Sequence, residues 1–295
     1  MAERDIDWAP LPLNFPRDFL PDRALLARLL AFAAEGGGGT NVEIGAETGI
    51  PTGKSTGKVE PMIHYARGMG LIAATKSGGR WSLRLTRLGE LVFAEDRFLD
   101  EPVTLWLLHL LLCRPAIGTD PARGIADAWF ALFAEGGMRL GNPFRREDYL
   151  AFLTERHGPL GYLRPLSGLV ARSYTETACL GPIDALAVVA GGGYRRQPAP
   201  DRRELYPAYS LALFLAWDHR LTDQGQVALK QLFAQSRLLD VLGWDQSVAG
   251  GWVKWMTDLG LLRLDRLTGS AVALRTADTA TLIAGLYDEL VCKRC

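Results

Sequence analysis

At 295 residues, with 48% of them hydrophobic and 22% charged, the chain has material for a substantial core and the length of one large or two ordinary domains. That composition excludes a disordered tail, a collagen-like polymer and a disulfide mini-protein. Thirty-three lysines and arginines balance thirty-three acids, so no global field draws the molecule to nucleic acid or lipid, and any polyanion site has to be local.

In chain order, residues 1–21 are rich in proline and aromatics without periodicity and predict an extended arm that packs on the body. Asp22 can cap a helix carrying Leu25, Leu26, Leu29, Leu30 and Ala33 on one face, ended by the glycines at 36–39. Short helices follow over 41–48 and 59–69, with Pro61 tolerable because it lies in the first turn. Gly70 stops the last of these. A strand over 71–74, a turn at 76–80 (KSGGR) and an alternating strand over 81–86 then form a hairpin. Three helices and a hairpin predict a winged helix-turn-helix over 22–96.

A helical domain over 97–220 is expected next, with helical patterns at 101–113, 121–135, 145–156, 163–178 and 205–219. The run at 103–113 (VTLWLLHLLLC) is about half a membrane span and holds His109, so it reads as a buried helix and predicts no membrane partner. The segment 252–262 (WVKWMTDLGLL) repeats the apolar positions of 62–72 (MIHYARGMGLI) and continues into strand, turn at 267–270 and strand. This predicts a winged-helix-like lobe over 221–295. The fold class is therefore mainly α with small β-hairpins.

Four cysteines, Cys113, Cys179, Cys292 and Cys295, are too scattered for a disulfide framework, and the first residues carry no basic-then-apolar leader; the expectation is a cytoplasmic protein. Cys292 and Cys295 have CxxC spacing without a second pair, which reads as a tail rather than a metal site. The glycine-lysine-serine stretch at 49–56 has one residue too few for a phosphate loop, and a helix rather than a strand is expected before it.

Local charge is more informative. Within 51–87, seven basic residues (Lys54, Lys58, Arg67, Lys76, Arg80, Arg84 and Arg87) face one acid, Glu60. Several of them fall at the start of the third helix and on the wing, where such folds meet duplex DNA, and His64 could face a groove. The alternative is a protein-binding winged helix with a solvated basic face. A second basic group, Arg195, Arg196, Arg202 and Arg203, flanks a glycine- and proline-rich stretch and reads equally as a mobile clamp for a phosphate backbone or as a solvated loop. Glu90, Glu95, Asp96, Asp100 and Glu101 form a compact acidic cluster. Hard oxygen donors at that spacing suit Mg²⁺, and the competing reading is a capping and solvated linker.

Four stretches together resemble the domain-of-unknown-function 4007 family of SspB-like DNA nickase components: FPRDFLP at 15–21, IHYARGMGLI at 63–72, LTRLGE at 85–90 with DRFLDEPVTLWLLH at 96–109, and RSY at 172–174 with ETACLGP at 176–182. The third is the most specific, being similar to the family's LTPLGE and DPYLEDPATLWLLHW. Two departures stand out. A longer GKSTGK at 53–58 replaces the family's glycine-lysine-asparagine segment, and Arg97 stands where the family often has proline. The resemblance implies a protein that nicks one strand of double-stranded DNA with Mg²⁺, so that a sulfurtransferase, with an ATPase of the same modification and defence system, can introduce phosphorothioate sulfur. The alternative is a non-catalytic specificity subunit or transcriptional regulator. For a nickase the candidate metal ligands are Asp96, Asp100 and Glu101, from the acidic cluster in the most family-like stretch, and Glu176, through the resemblance alone. Arg172 and Tyr174 are candidates to hold the scissile phosphate, with a buried structural pair as the alternative, and the local charge marks Lys54, Lys58, His64, Arg67, Lys76 and Arg80 as DNA contacts.

Overall fold

Asp22 opens the first helix: its carboxylate accepts the Leu25 amide at 3.1 Å, and α1 (Arg23–Ala34) buries the leucine face that the spacing marks. The computed structural model describes residues 6–53, 57–119, 122–265 and 271–291. A two-residue strand, β1 (Gly38–Gly39), leads into α2 (Asn41–Thr48), which Thr40 and Glu43 close with a capping box and Gly49 ends in the left-handed region at φ 67°. Next come α3 (Val59–Gly68), β2 (Ile72–Ser77), β3 (Arg80–Leu85) and α4 (Arg87–Glu95). The three strands form an antiparallel sheet in the order β1-β3-β2. Sequence reasoning missed β1, because two glycines carry no strand propensity. Its place is fixed by pairing, Gly38 opposite Ser82 and Gly39 opposite Trp81.

The middle of the chain holds α5 (Pro102–Leu112), α6 (Asp127–Phe130), a π-type turn at Ala131–Glu135, α7 (Gly136–Arg139), α8 (Arg146–His157) and α9 (Leu163–Arg172). A hairpin of β4 (Leu186–Val189) and β5 (Gly193–Arg196) precedes α10 (Tyr206–Arg220). Both readings of the second basic group, mobile clamp or solvated loop, are thus corrected in part: Arg195 and Arg196 are strand residues. Every residue from Val103 to Leu112 is buried, as is every residue from Tyr206 to Trp217, and α5 and α10 pack on each other at the centre of the core. Helices apolar on all sides have to be central.

After α10 come β6 (Gln226–Ala228), α11 (Leu229–Ser236), α12 (Leu238–Leu242), α13 (Gln246–Asp258), β7 (Leu262–Asp265), β8 (Val272–Arg275), α14 (Thr279–Ala284) and α15 (Asp288–Val291). The sheet order β6-β8-β7 matches that of the first sheet. The likeness extends to single bonds. Gly70 and Gly260 both sit at positive φ, 73° and 68°, where a side chain would be strained. Leu71 N–H reaches Ala66 O and Leu261 N–H reaches Met256 O, each at 2.9 Å. The hydroxyls of Thr86 and Thr276 donate to the carbonyls of Gly70 and Gly260 at 2.6 and 2.7 Å. The expected turn at 267–270 and the CxxC at 292–295 both lie outside the described residues. Among those described, no helix is long and apolar enough to cross a membrane.

Candidate functional site

Of the acidic cluster, Glu90 and Glu95 belong to α4, and Asp96, Asp100 and Glu101 lie on the turn between α4 and α5. Asp96 ends α4, and its two carboxylate oxygens accept the amides of Asp100 at 2.9 Å and Glu101 at 3.0 Å, which fixes the turn and leads into Pro102, the first residue of α5. Leu99, at the centre, is fully buried with φ 58°. Its backbone is held there by Arg23, the first residue of α1. The Arg23 guanidinium donates to Leu99 O at 2.8 Å, to the Asp100 carboxylate, and to Thr177 O at 2.8 Å, while its own amide reaches Ala178 O at 2.9 Å. One side chain therefore fastens the turn that carries Asp96, Asp100 and Glu101 to the loop that carries Glu176.

These acids are nevertheless engaged elsewhere. Asp96 is a cap with both oxygens used, Asp100 pairs with Arg23, and Glu176 pairs with Arg172 at 3.3 Å, one helical turn away. Among the described residues no group of three or more His, Cys, Asp or Glu side chains is placed to hold a metal. As arranged, the expected ligand set does not fit a magnesium ion, and Asp96 serves the capping role that was the alternative. Tyr174 departs from expectation too. It is 2% exposed, and its hydroxyl lies 2.7 Å from His109 Nδ1, with the Cys113 thiol beside both. The enclosing apolar side chains raise its pKa well above the usual value and depress that of His109 to about 3. A phosphate in solution cannot reach it. Arg172, with its side chain 60% exposed, can be reached.

The basic segment is spread over two settings. Lys54 lies outside the described residues. Lys58 stands 5.7 Å from the Phe19 ring. Lys76 lies over Trp81 at 4.7 Å and pairs with Glu60 at 2.6 Å, Arg80 pairs with Glu43 at 2.9 Å, and Arg67 pairs with Asp7. His64 corrects the expectation of a groove-facing base: it is buried between Phe15 and Trp81, and desolvation, with the Arg67 charge next, lowers its pKa to about 4.

The cause is the arm at 6–21, which lies over α3. Phe15 packs edge-on to Tyr65, whose hydroxyl donates to Phe19 O at 3.0 Å; Arg17 pairs with Glu60 at 3.1 Å; Leu11 closes over Gly68. Ile6, Trp8, Leu11 and Phe15 are all buried. Exposing them would cost about 1.5–3 kcal/mol each, roughly 6–12 kcal/mol in all, so the arm is a fixed part of the body.

Sequence reasoning did not single out Arg23, whose side-chain partners are 76 to 154 residues away. It also missed a nearly buried ionic network in the helical region. There Asp127 receives Arg156 at 2.7 Å, His157 at 2.9 Å and Arg123 at 3.2 Å. Burial raises the Asp127 pKa, but hydrogen bonds from Arg156 and His157 outweigh it and hold the carboxylate well below its ordinary value.

No protein-family model and no curated protein matches the sequence. Solved structures do. The crystal structure of magnesium ion-bound SspB superimposes with a TM-score of 0.72 at 15% identity, covering 97% of this chain and 88% of that one. A further SspB crystal structure gives a TM-score of 0.69 at 15% identity over 97% and 89%. The protein is thus a mainly helical chain with small antiparallel sheets, and its fold is SspB-like.

Proposed function

We propose that this protein is a DNA-acting component of a phosphorothioate modification system, which binds double-stranded DNA and nicks one strand so that a sulfurtransferase, working with an ATPase of the same system, can introduce sulfur. The observation that carries the reading is the SspB-like fold over 97% of the chain. Two features support it. The repeated strand-helix-hairpin topology of the two three-stranded sheets suits a pair of winged-helix units, over 22–96 and 221–295, with the helical region between them. The acids of two distant segments are fastened together by Arg23 at the edge of the first unit.

Nicking a phosphodiester requires charge compensation at the phosphate and a positioned water. Arg172 is the exposed cation beside Glu176 that suits the first task, and Asp100, Glu101 and Glu176 are the acids whose removal tests the second. Magnesium enters as an assay condition, because one SspB structure is magnesium ion-bound. The runner-up is a non-catalytic specificity subunit, favoured by the absence, among the described residues, of a ready group of three metal donors. Incubation with supercoiled plasmid and Mg²⁺, with an EDTA control, separates the two. Relaxed circles that Asp100→Asn and Glu176→Gln abolish are expected. Plasmid that is retained by the protein yet stays supercoiled refutes nicking and leaves the specificity subunit.

A further inference from the structure

Helix α3 occupies the position of a recognition helix, but it has no face to offer. Of its ten residues only Glu60 and Arg67 are even partly exposed, and each is held in an ion pair, Glu60 by Arg17 and Lys76 and Arg67 by Asp7. The arm covers one side and α5 the other: a Cβ on Gly68 would stand 3.0 Å from both Leu11 and Leu112. The arm is secured in turn by buried Arg114, which donates to Gly68 O on α3 and to Asp7 O on the arm and lies 4.9 Å from the Trp8 ring. If this protein binds duplex DNA, as proposed above, another surface has to meet it.

The first sheet supplies one. Its register sets Ala73 opposite Arg84, Thr75 opposite Ser82 and Ser77 opposite Arg80. Opposite residues share a face, and side chains alternate along a strand. Trp81, Leu83 and Leu85 are buried on the inner face, so Arg80, Ser82 and Arg84 stand on the outer one, all exposed, with exposed Thr75 and Ser77 beside them. Exposed Gly38 of β1 lies against Ser82, so the strip between the two arginines carries only small and hydroxyl-bearing side chains. Arg80 and Arg84, four residues apart on one strand, are separated by roughly 13 Å. Arg80 is paired with Glu43 at 2.9 Å, but both side chains are more than half exposed, so the pair is weak and a phosphate can compete for the guanidinium. Two guanidinium groups over a low floor of hydroxyl donors are chemistry suited to a phosphate backbone. We infer that the outer face of this sheet, through Arg80, Ser82, Arg84 and Thr75, is the surface that contacts the phosphates of duplex DNA, while α3 takes no part.

The test measures the affinity of the full chain for a 20-base-pair fluorescent duplex by anisotropy across a salt series. Three variants are compared: Arg80→Ala with Arg84→Ala, Ser82→Glu, and His64→Asn on α3. Each should first show an unaltered circular dichroism spectrum. The arginine pair is expected to weaken binding at least tenfold and to lower the slope of log affinity against log salt by about two, one phosphate contact each. Ser82→Glu, which sets a negative charge on an otherwise tolerant surface position, should weaken binding to a similar degree, and His64→Asn should leave it unchanged. Wild-type affinity and slope in both sheet variants would overturn the assignment while leaving DNA binding itself standing, as would loss of binding confined to His64→Asn. A wild-type protein with no salt-dependent retention of the duplex would overturn both.

Discussion

Replacing Arg23 by methionine keeps the aliphatic stem and removes the fork that ties the acidic turn to the Glu176 loop. The bonds to Leu99 O and Thr177 O are both 2.8 Å from a guanidinium whose side chain is only 17% exposed. Bonds from a charged donor are worth roughly 1.5–3 kcal/mol each. Both carbonyls belong to loops that regain water when released, so the lower part of that range applies, about 3–4 kcal/mol together. The ion pair adds little, because the Asp100 side chain is 69% exposed and such pairs give about 1 kcal/mol or less. Arg23→Met should therefore lower Tm by roughly 5–10 °C, and hydrogen exchange should quicken in both the 96–101 turn and the 176–180 loop. A double-mutant cycle with Asp100→Asn should show coupling below about 1 kcal/mol, since most of the loss comes from the carbonyl bonds. A Tm change under about 1 °C, or coupling that accounts for most of the loss, would show that the staple reasoning is wrong.

Tyr174→Phe leaves His109 Nδ1 without its 2.7 Å partner in the core and should cost about 1–3 kcal/mol in denaturant unfolding while plasmid nicking by the folded variant keeps its wild-type rate; a selective loss of nicking would restore a direct role. Gly89→Ala should fail to accumulate or lose at least about 3 kcal/mol, because a Cβ there would stand 1.9 Å from the Leu71 carbonyl oxygen. Gly250→Ala, at a helical site with nothing within 4 Å, should raise stability by about 0.5–1 kcal/mol, both being read from unfolding curves. His64 titrates near 4 in the folded chain against an ordinary 6.5, so below pH 6.5 the unfolded state takes up a proton that the folded state refuses. Stability should fall by roughly 2–3 kcal/mol between pH 6.5 and 4 on this account, and His64→Asn should flatten the pH profile of Tm in that window; an unchanged profile would contradict the burial argument.

Much of the first 100 residues was legible because their signals are local. Asp22 three residues before Leu25, Gly49 and Gly70 at helix ends and the alternation of Trp81, Leu83 and Leu85 each act within a turn or a strand. The site was less legible because its geometry is long-range. Counting charges within 51–87 finds one acid, yet in space Arg80 meets Glu43 and Arg67 meets Asp7, both outside that window. Resemblance pointed to Tyr174, but neither resemblance nor spacing could show that His109, 65 residues earlier, encloses it. The hairpin of β4 and β5 was hidden by its own composition, since Gly191, Gly192 and Gly193 read as a loop until Tyr194 is seen bridging to Phe144.

The two halves of the repeat show what decides the use of such a unit. In α3 the arm and α5 take both sides, and the exposed charges are pushed outward onto the sheet. In α13, Gln246, Ser247, Gly250, Gly251, Lys254 and Asp258 all remain exposed, although the Gly-Leu exit and the threonine-to-glycine bond are the same as in the first unit. The backbone program is therefore common to both, and the difference comes from what lies against the third helix. On the proposed function, a covered third helix demands that duplex DNA be met by the hairpin, while an open one does not, so charge reversal on the sheet should matter far more in the first unit than in the second. Substituting Arg275, which is tied to Asp218 and Thr279, should accordingly lower Tm without changing the salt slope of DNA binding; a slope that falls by about one instead would mean that both sheets meet the phosphate backbone.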